Sequence, residues 1–338
     1  MAALAPPDPV HILHNPSGPV TALTTIRMNQ ECRHTLVSGS ENGAITIWNL
    51  NVGSHEKLLE CQFKKKLIVQ VFRPTKTWQA HSTPIVWLGV LDDRPGYLIS
   101  HGRGESVIIW NAEGTIVHKM QVHHDGFCKS DLLANKIAIP SGKNSIEMLT
   151  INQMTSLEPS RTLTIDSDEG ALMAVKLLSK DTRVVAAYES GCICIWDGDV
   201  VVHRTRVESM PTCLGHHAQH NEILLGTSSE TLHILDADKL TQLKAIELTN
   251  PGLNFTALRL SDSRVYATAG WDKRIRFFSA RTHKKLCVLQ VHEDSLNALV
   301  FVAGHCGATS LLAAGSSDSL ISLWDLYGGD AGGSHQNP

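Results

Sequence analysis

The chain has 338 residues, which is more than one hydrophobic core usually holds, so we expect either two domains or a fold built from repeats. Its 30 basic and 33 acidic residues leave a formal net charge of −3, which argues against nucleic acid or an acidic membrane as the main partner. The eight cysteines form no Cys-x-x-Cys pair, and the chain shows neither a signal peptide nor an apolar stretch of about 20 residues, so we expect a reduced intracellular protein of the cytoplasm and nucleus.

One strand pattern recurs seven times along the chain. It reads ITIWN, VIIWN, IEMLT, ICIWD, LHILD, IRFFS and ISLWD, and its fourth or equivalent position is Trp48, Trp110, Leu149, Trp196, Leu235, Phe278 and Trp324. The spacings are 62, 39, 47, 39, 43 and 46 residues, close to a repeat of about 40 to 45 residues apart from the first.

Each copy completes a hairpin that follows another short apolar segment, so each repeat predicts a small antiparallel sheet. Such a sheet cannot bury both faces alone, whereas a ring of seven sheets can. We therefore predict an all-β, seven-bladed β-propeller as a single domain over residues 1–327. The predicted blades are residues 19–61, 81–121, 126–164, 171–205, 210–245, 253–290 and 294–327.

The last repeat stops after its third strand, and the residues that follow, 328–338, read as a flexible polar tail. PVHILH, residues 9–14, precedes the first blade and can supply the missing outer strand. We predict that this N-terminal strand closes the ring and covers the otherwise open edge.

The repeated tryptophans are interpreted as structural. A Trp at a fixed place in a blade packs against a neighbouring blade, and burial of its about 150 to 250 Å² stabilises the ring. This interpretation covers Trp48, Trp110, Trp196 and Trp324.

The repeats resemble WD repeats, in which His, Ser, Asp and Trp form a hydrogen-bonded set. The set is complete in sequence only in the last blade, as His292, Ser316, Asp318 and Trp324. Blade 6 keeps Trp271-Asp272 in its turn but has Phe278 at the Trp position.

Further segments resemble the guanine nucleotide-binding protein subunit beta-like protein 1 family, which is related to fungal ASTRA-associated protein 1. They are GFCKS (126–130), IAIP in blade 3, LTNPG (248–252), ATAGWDKRIRFF (267–278) and LLAAGSSDSLISLWDLY (311–327). The resemblance implies a non-catalytic scaffold, without a cofactor, that acts with the TTT cochaperone complex and supports the stability of phosphatidylinositol 3-kinase-related kinases. It also implies a chromatin-linked assembly for the fungal members, and a single propeller inside a hetero-complex.

Other functions find less support. The chain lacks the phosphate-loop, G-x-S-x-G and H-E-x-x-H motifs, so we do not expect an enzyme. His216, His217, His220 and Glu222 lack zinc-site spacing and are interpreted as a solvated turn. Cys192 and Cys194 lie two apart on one strand and are expected inside the packing, without a disulfide between them.

Two alternatives to the cochaperone function stay open: a generic WD-repeat adaptor of another complex, and a G-protein β-like signalling subunit. Pairing with a γ subunit is not expected, since only 18 Pro-rich residues precede the first blade where a long helix would be needed. A cullin-ligase receptor is not expected either, because Asp199 and Tyr327 stand where a W-D-x-R motif needs Arg.

The first spacing leaves extra residues at about 62–80, with a basic run, Lys64 to Lys66. We interpret this insertion as a loop or an outer strand displaced along the chain, with a docking element as the alternative.

Partner-binding residues are expected in the turns between second and third strands. The residue before the Asp-equivalent position is Glu41, Arg103, Glu189, Trp271 or Ser317 in five of the blades. Trp271 has no obvious core to fill, and Trp and Arg are enriched at interface centres. We expect Trp271, Asp272, Lys273 and Arg274 to form one recognition patch with Asn250 and Pro251. The alternative is that Trp271 lies flat over the neighbouring blade while Asp272 caps its own turn.

Overall fold

The computed structural model describes residues 7–27, 34–50, 73–91, 93–153, 155–178, 183–302 and 311–326. Within these ranges 28 strands form seven four-stranded antiparallel sheets, the blades of a β-propeller. The described part contains no helix that is long and apolar enough to span a bilayer.

The strands of blades 1 and 2 are β2 (Val20–Arg27), β3 (His34–Ser40), β4 (Ala44–Trp48), β5 (Pro74–Gln79), β6 (Ile85–Val90), β7 (Leu98–Gly102), β8 (Ser106–Trp110) and β9 (Ile116–Gln121). Those of blades 3 and 4 are β10 (Asp131–Leu133), β11 (Lys136–Ser141), β12 (Ser145–Ile151), β13 (Leu157–Thr164), β14 (Leu172–Leu177), β15 (Val184–Tyr188), β16 (Cys192–Asp197) and β17 (Val200–Arg206). Those of blades 5 and 6 are β18 (Pro211–His217), β19 (Glu222–Thr227), β20 (Thr231–Asp236), β21 (Gln242–Glu247), β22 (Leu253–Leu258), β23 (Val265–Gly270), β24 (Arg274–Ser279) and β25 (Lys285–Gln290). Blade 7 consists of β26 (Leu296–Val302), β27 (Leu311–Ser316), β28 (Leu320–Trp324) and β1 (His11–His14).

The N-terminal strand closes the ring, as the sequence predicts. β1 pairs antiparallel with β28, with His11 opposite Leu323 and His14 opposite Leu320. Leu13 is buried there. The outer edge of blade 7 is therefore protected by a strand from the other end of the chain.

The core lies between adjacent blades. Trp48 of blade 1 packs with Ile321 and Leu323 of blade 7, and Trp324 packs with Ala267 and Phe277 of blade 6. All four repeated tryptophans are buried, and each packs against the preceding blade. Outer strands such as β5 and β9 alternate between exposed and half-buried residues, so the four strands of a blade differ in burial from the channel outward.

The first blade ends later than predicted. Its outer strand is β5, Pro74–Gln79, so the predicted end at residue 61 is wrong. The last residues of the insertion therefore form the outer strand of blade 1, displaced along the chain. This strand pairs antiparallel with β4 and completes the sheet. Residues 62–72 of the insertion and the tail 328–338 lie outside the described residues.

The hydrogen-bonded set of blade 7 differs from the sequence assignment in its serine. His292 Nδ1 lies 2.9 Å from Asp318 Oδ2, but His292 Nε2 and Trp324 Nε1 both meet Ser322 Oγ, at 2.7 and 2.8 Å. Ser316 Oγ instead donates to the Asp294 carbonyl oxygen. The hydroxyl that joins the imidazole to the indole therefore comes from β28 and not from β27.

Blade 2 carries the His–Ser–Trp part of a second such set, which the motif missed. His81 Nε2 and Trp110 Nε1 both meet Ser100 Oγ, at 2.7 and 2.8 Å. Glu105 accepts hydrogen bonds from the backbone N–H and hydroxyl of Ser82. Glu105 has a longer side chain than Asp and follows Gly104, which stands at the Asp-equivalent position. A sequence motif that requires Asp at that position therefore does not detect it.

The histidines of blade 5 are only partly in a solvated turn. His217 is fully buried at the end of β18; its Nε2 lies 3.0 Å from the Ser263 carbonyl oxygen, and its ring stacks on His220 at 4.2 Å between centroids. The predicted solvated position is thus wrong for His217, because the neighbouring blade covers its ring and supplies a carbonyl acceptor. Cys192 and Cys194 are buried and not joined by a disulfide.

Candidate protein-interaction site

One face of the ring, called here the upper face, carries the turns between the second and third strands together with the connections that lead into each first strand. The two kinds of segment meet through backbone hydrogen bonds in several blades. Trp271 N–H, for example, donates to the Gly252 carbonyl oxygen at 2.9 Å, and Glu189 N–H to that of Ala171 at 2.8 Å. Every residue predicted to bind a partner belongs to this face.

Trp271 lies on the surface and is held in one orientation. It is 42% exposed, and its indole N–H donates to Asn254 Oδ1 at 2.8 Å. The indole ring covers Gly252, where an added Cβ would stand 2.0 Å from ring atom Cε3. The ring thus lies flat over the connection into its own blade, not over the neighbouring blade, and leaves its outer face to solvent.

Asp272 is anchored from below by Arg276. Arg276 is 1% exposed, and both terminal guanidinium nitrogens contact the carboxylate, with Nη1 3.1 Å from Oδ1. Burial alone would raise the pKa of Asp272, but the hydrogen bonds and charge of Arg276 outweigh it and hold the pKa below its usual range. Asn250 Nδ2 also donates to Asp272 Oδ2, at 3.0 Å.

The side chains of Lys273 and Arg274 extend from this turn to different connections between blades. Lys273 has a left-handed backbone with φ +67°, and its exposed side chain donates to the Glu293 carbonyl oxygen in the next connection. Arg274 Nε lies 3.3 Å from Gln290 Oε1, and its Nη1 3.5 Å from Thr249 Oγ1. The two side chains carry the positive charge of this turn, and Arg274 Nη1 also lies 3.7 Å from Asp272 Oδ2.

Residues 249–252 and 271–274, together the blade 6 patch, are one contiguous surface. The Asn250–Asp272 and Arg274–Thr249 contacts join them, Pro251 is exposed, and Gly252 supports the indole. The structure thus brings together the two segments that the sequence analysis grouped. Their role in partner binding stays a prediction.

Glu41, Arg103 and Glu189 occupy corresponding turns of blades 1, 2 and 4. Glu41 is exposed, and Glu189 Oε2 accepts the Ala171 backbone N–H at 3.1 Å. In the described residues, no hydrogen bond or ion pair joins these three side chains to the blade 6 patch. They share its face but not its local structure.

Sequence reasoning missed Phe127 as a surface residue. It is 69% exposed in the connection into blade 3, and the guanidinium carbon of Arg103 lies 4.2 Å from its ring centroid. Arg103 Nε also donates to the Asp125 carbonyl oxygen, at 2.7 Å. A large aromatic residue inside a polar connection, next to Gly126, was the available signal.

A polar network continues from Trp271 into the ring. Asn254 Nδ2 donates to the Leu296 carbonyl oxygen and to Asn297 Oδ1, at 3.0 and 3.1 Å. The ammonium group of Lys129 in blade 3 donates to the Asn297 carbonyl oxygen at 2.7 Å. Blades 3, 6 and 7 are thereby connected just beneath the upper face.

Metal-ligand geometry is lacking in the part of the chain that the structure describes: no three His, Cys, Asp or Glu side chains are placed to hold an ion. The polar groups of the blade 6 patch are instead paired with one another, which leaves the exposed indole and two cations as its outward chemistry. Such a surface suits a protein partner.

Comparison with known proteins agrees with this architecture. The model "WD domain, G-beta repeat" matches residues 7–49 and 283–325, which include the closing strand and blade 7. Mouse guanine nucleotide-binding protein subunit beta-like protein 1 is 30% identical over 97% of this chain and 99% of its own length. ASTRA-associated protein 1 of Schizosaccharomyces japonicus is 24% identical over 95% of this chain and 99% of its own length, and that of Verticillium alfalfae is 22% identical over 95% and 93%. A WD-repeat propeller that matches a relative at this level from end to end belongs to the guanine nucleotide-binding protein subunit beta-like protein 1 family.

Proposed function

We propose that this protein is a non-catalytic scaffold of a cochaperone system, in the cytoplasm and nucleus, that supports the stability of phosphatidylinositol 3-kinase-related kinases together with the TTT complex. Family membership supports a scaffold, and the name of the fungal relatives, ASTRA-associated protein 1, supports work inside a larger assembly. The propeller fold is typical of such non-catalytic scaffolds.

The observation that carries the proposal is the exposed but immobilised indole of Trp271. A tryptophan fixed by a hydrogen bond and a glycine platform loses little conformational entropy when a partner covers it. Lys273 and Arg274 in the same turn add charge that selects among partners. In this proposal the blade 6 patch is the surface that a TTT subunit or a client kinase contacts.

The test is affinity purification of the tagged full chain from cells, with mass spectrometry of the bound proteins. Wild type is compared with Trp271→Ala/Lys273→Glu and with a matched control, Leu286→Ala/Lys285→Glu. The control removes an exposed apolar side chain (Leu286, 48% exposed) and reverses a neighbouring lysine in the same blade, but on its outer strand.

Recovery of TTT subunits or the kinases with wild type and control, and their loss with the folded patch variant, is the expected result. If wild type recovers another complex instead, the protein is an adaptor of that complex. If both variants retain the cochaperone subunits, the blade 6 patch is not the contact surface.

A further inference from the structure

The inner strands of the propeller enclose a central channel with a cavity of about 580 Å³. Five cationic side chains line this cavity, against a single carboxylate, Asp131, among the described residues. The cations are Arg27, Arg94, Lys129, Lys176 and Arg259. A cavity of this volume is within the range of small-molecule sites.

Four of these cations lie at one end of the channel. Every inner strand starts at the upper face, and Arg27, Arg94, Lys176 and Arg259 stand at or just beyond the ends of β2, β6, β14 and β22. They therefore surround the lower end of the channel. Lys129 precedes β10 and lies near the upper end.

Two of the lower cations are already paired. Lys176 Nζ lies 2.6 Å from Asp131 Oδ1, and Arg259 Nη2 lies 2.7 Å from Asp262 Oδ2. Within the described ranges, the Arg94 side chain contacts only the exposed Asp93, at 3.5 Å, and the Asn152 carbonyl oxygen. Arg27 takes part in no ion pair within the described ranges. The paired acids thus leave an excess of positive charge at this end.

Lys129 carries a charge inside the channel without a counter-ion. Its ammonium group crosses from blade 3 to the Asn297 carbonyl oxygen of blade 7 and lies 4.4 Å from the Phe255 ring centroid. In the described part of the chain it contacts no carboxylate. Burial lowers the pKa of Lys129 to about 8, so the amine still carries its proton at neutral pH. A cation in a low-dielectric cavity that lacks an anion is costly and attracts one.

We propose that the central channel binds a small polyphosphorylated anion, which enters at the lower end between Arg27 and Arg94 and approaches Lys129 from below. Phosphate fits this set because guanidinium groups pair with its oxygens in a bidentate way and several cations can share several phosphates. The cavity is too small to admit a nucleic-acid duplex. The site lies inside the channel and not among the exposed residues of the blade 6 patch, and it does not depend on the proposed partner.

Isothermal titration of the purified full chain with inorganic tripolyphosphate tests the proposal. We expect one tripolyphosphate per chain and an affinity that falls as salt is added. Arg94→Gln, Arg27→Gln and Lys129→Met should each weaken binding by about tenfold or more, the value of a charge-assisted hydrogen bond. Lys285→Gln, which removes the same charge from the exposed outer strand β25, should leave binding unchanged.

Absence of binding to wild type, or equal weakening by Lys285→Gln, would overturn the proposal, as would tighter binding of hexaglutamate than of tripolyphosphate. Circular dichroism melting of each variant verifies folding. If Lys129→Met does not fold, Arg27→Gln and Arg94→Gln still decide the outcome, because both side chains lie at the open end. The measurement uses the isolated chain, so its result is independent of the purification from cells.

Discussion

The guanidinium group of Arg276 lies inside blade 6 and holds the carboxylate of Asp272, with Nη1 3.1 Å from Oδ1. Arg276 stands opposite Thr268 in the ladder, the position that Ser322 takes opposite Ala314 in blade 7. In blade 7 a histidine and a serine hold the turn aspartate and the tryptophan. In blade 6, where Phe278 replaces that tryptophan, one buried arginine holds the turn instead.

Arg276→Met should lower the free energy of unfolding by about 3 to 5 kcal/mol, because Asp272 would keep a partly buried charge without its main partner. Adding Asp272→Asn to this variant should recover part of the loss. Arg274→Met removes a more exposed cation from the same turn and should cost less than about 1 kcal/mol. Urea denaturation measures all four proteins, and similar losses for Arg274→Met and Arg276→Met would contradict the assignment.

Ser322→Ala should destabilise the protein by about 2 to 3 kcal/mol, since His292 Nε2 and Trp324 Nε1 would both be left buried and unpaired. Ser316→Ala should cost less, because its hydroxyl bonds to backbone groups, the Asp294 carbonyl oxygen and the Asp318 N–H, and the change leaves the buried imidazole and indole paired. The double variant Ala314→Ser/Ser322→Ala places the hydroxyl on β27, as Ser100 places it on β7 in blade 2, and should recover most of the stability. Thermal and urea unfolding measure the loss of stability in each variant. A larger loss for Ser316→Ala than for Ser322→Ala would contradict the structure and favour Ser316 as the serine of the set.

Gly252→Ala should displace the indole of Trp271, because the new Cβ would stand 2.0 Å from the ring. Gly18→Ala is a matched control, with φ +83° against +84° and nothing within 4 Å of the added atom. Both changes carry the backbone cost of a left-handed residue, about 1 kcal/mol. Gly252→Ala should destabilise the protein by more than this backbone cost, because it also displaces the indole. Combining it with Trp271→Ala should remove the additional loss. Equal losses for the two glycines would show that the indole does not rest on Gly252.

Acid should destabilise the protein partly through His101. This side chain is fully buried against Ser130, and burial lowers its pKa from 6.5 to about 3, with further lowering by the neighbouring His124 and His81. The unfolded chain takes up a proton below pH 6.5 while the folded chain does not, so stability falls as the pH drops from 6.5 toward 3. The slope is about 1.4 kcal/mol per pH unit for one such group.

His101→Gln should therefore flatten the dependence of the unfolding free energy on pH between about 6 and 4. Between pH 7 and 8, where His101 is neutral in both states, the variant and wild type should have parallel curves even if their stabilities differ. Parallel curves in the acid range as well would show that His101 is not a source of the acid sensitivity.

Much of the fold was predictable because propeller repeats leave local evidence. The ITIWN-type strands, their spacing and the lone PVHILH segment indicate seven sheets and a closing strand without any long-range information. The grouping of LTNPG with WDKR followed from the same period, since each connection must lie beside the turn of its own blade. Phe127 escaped because its polar connection and the adjacent Gly126 are only a weak local signal, and its exposure depends on how the connection packs against Arg103 of blade 2.

The number of blades and the packing tryptophans could be read from the sequence, because the strand pattern recurs in all seven blades and four of them carry the Trp. The closing strand could be read as well, because the last repeat lacks its outer strand and one apolar segment is left over at the N-terminus. Three contacts could be assigned only from the folded structure: Ser322 and not Ser316 joins His292 to Trp324, Glu105 accepts the Ser82 N–H in blade 2, and Lys129 spans the channel to Asn297. A hydroxyl can come from either of two paired strands, a longer acid can reach from the next position, and a lysine can meet a carbonyl 168 residues away. Each of these contacts depends on which strands become neighbours once the ring has closed.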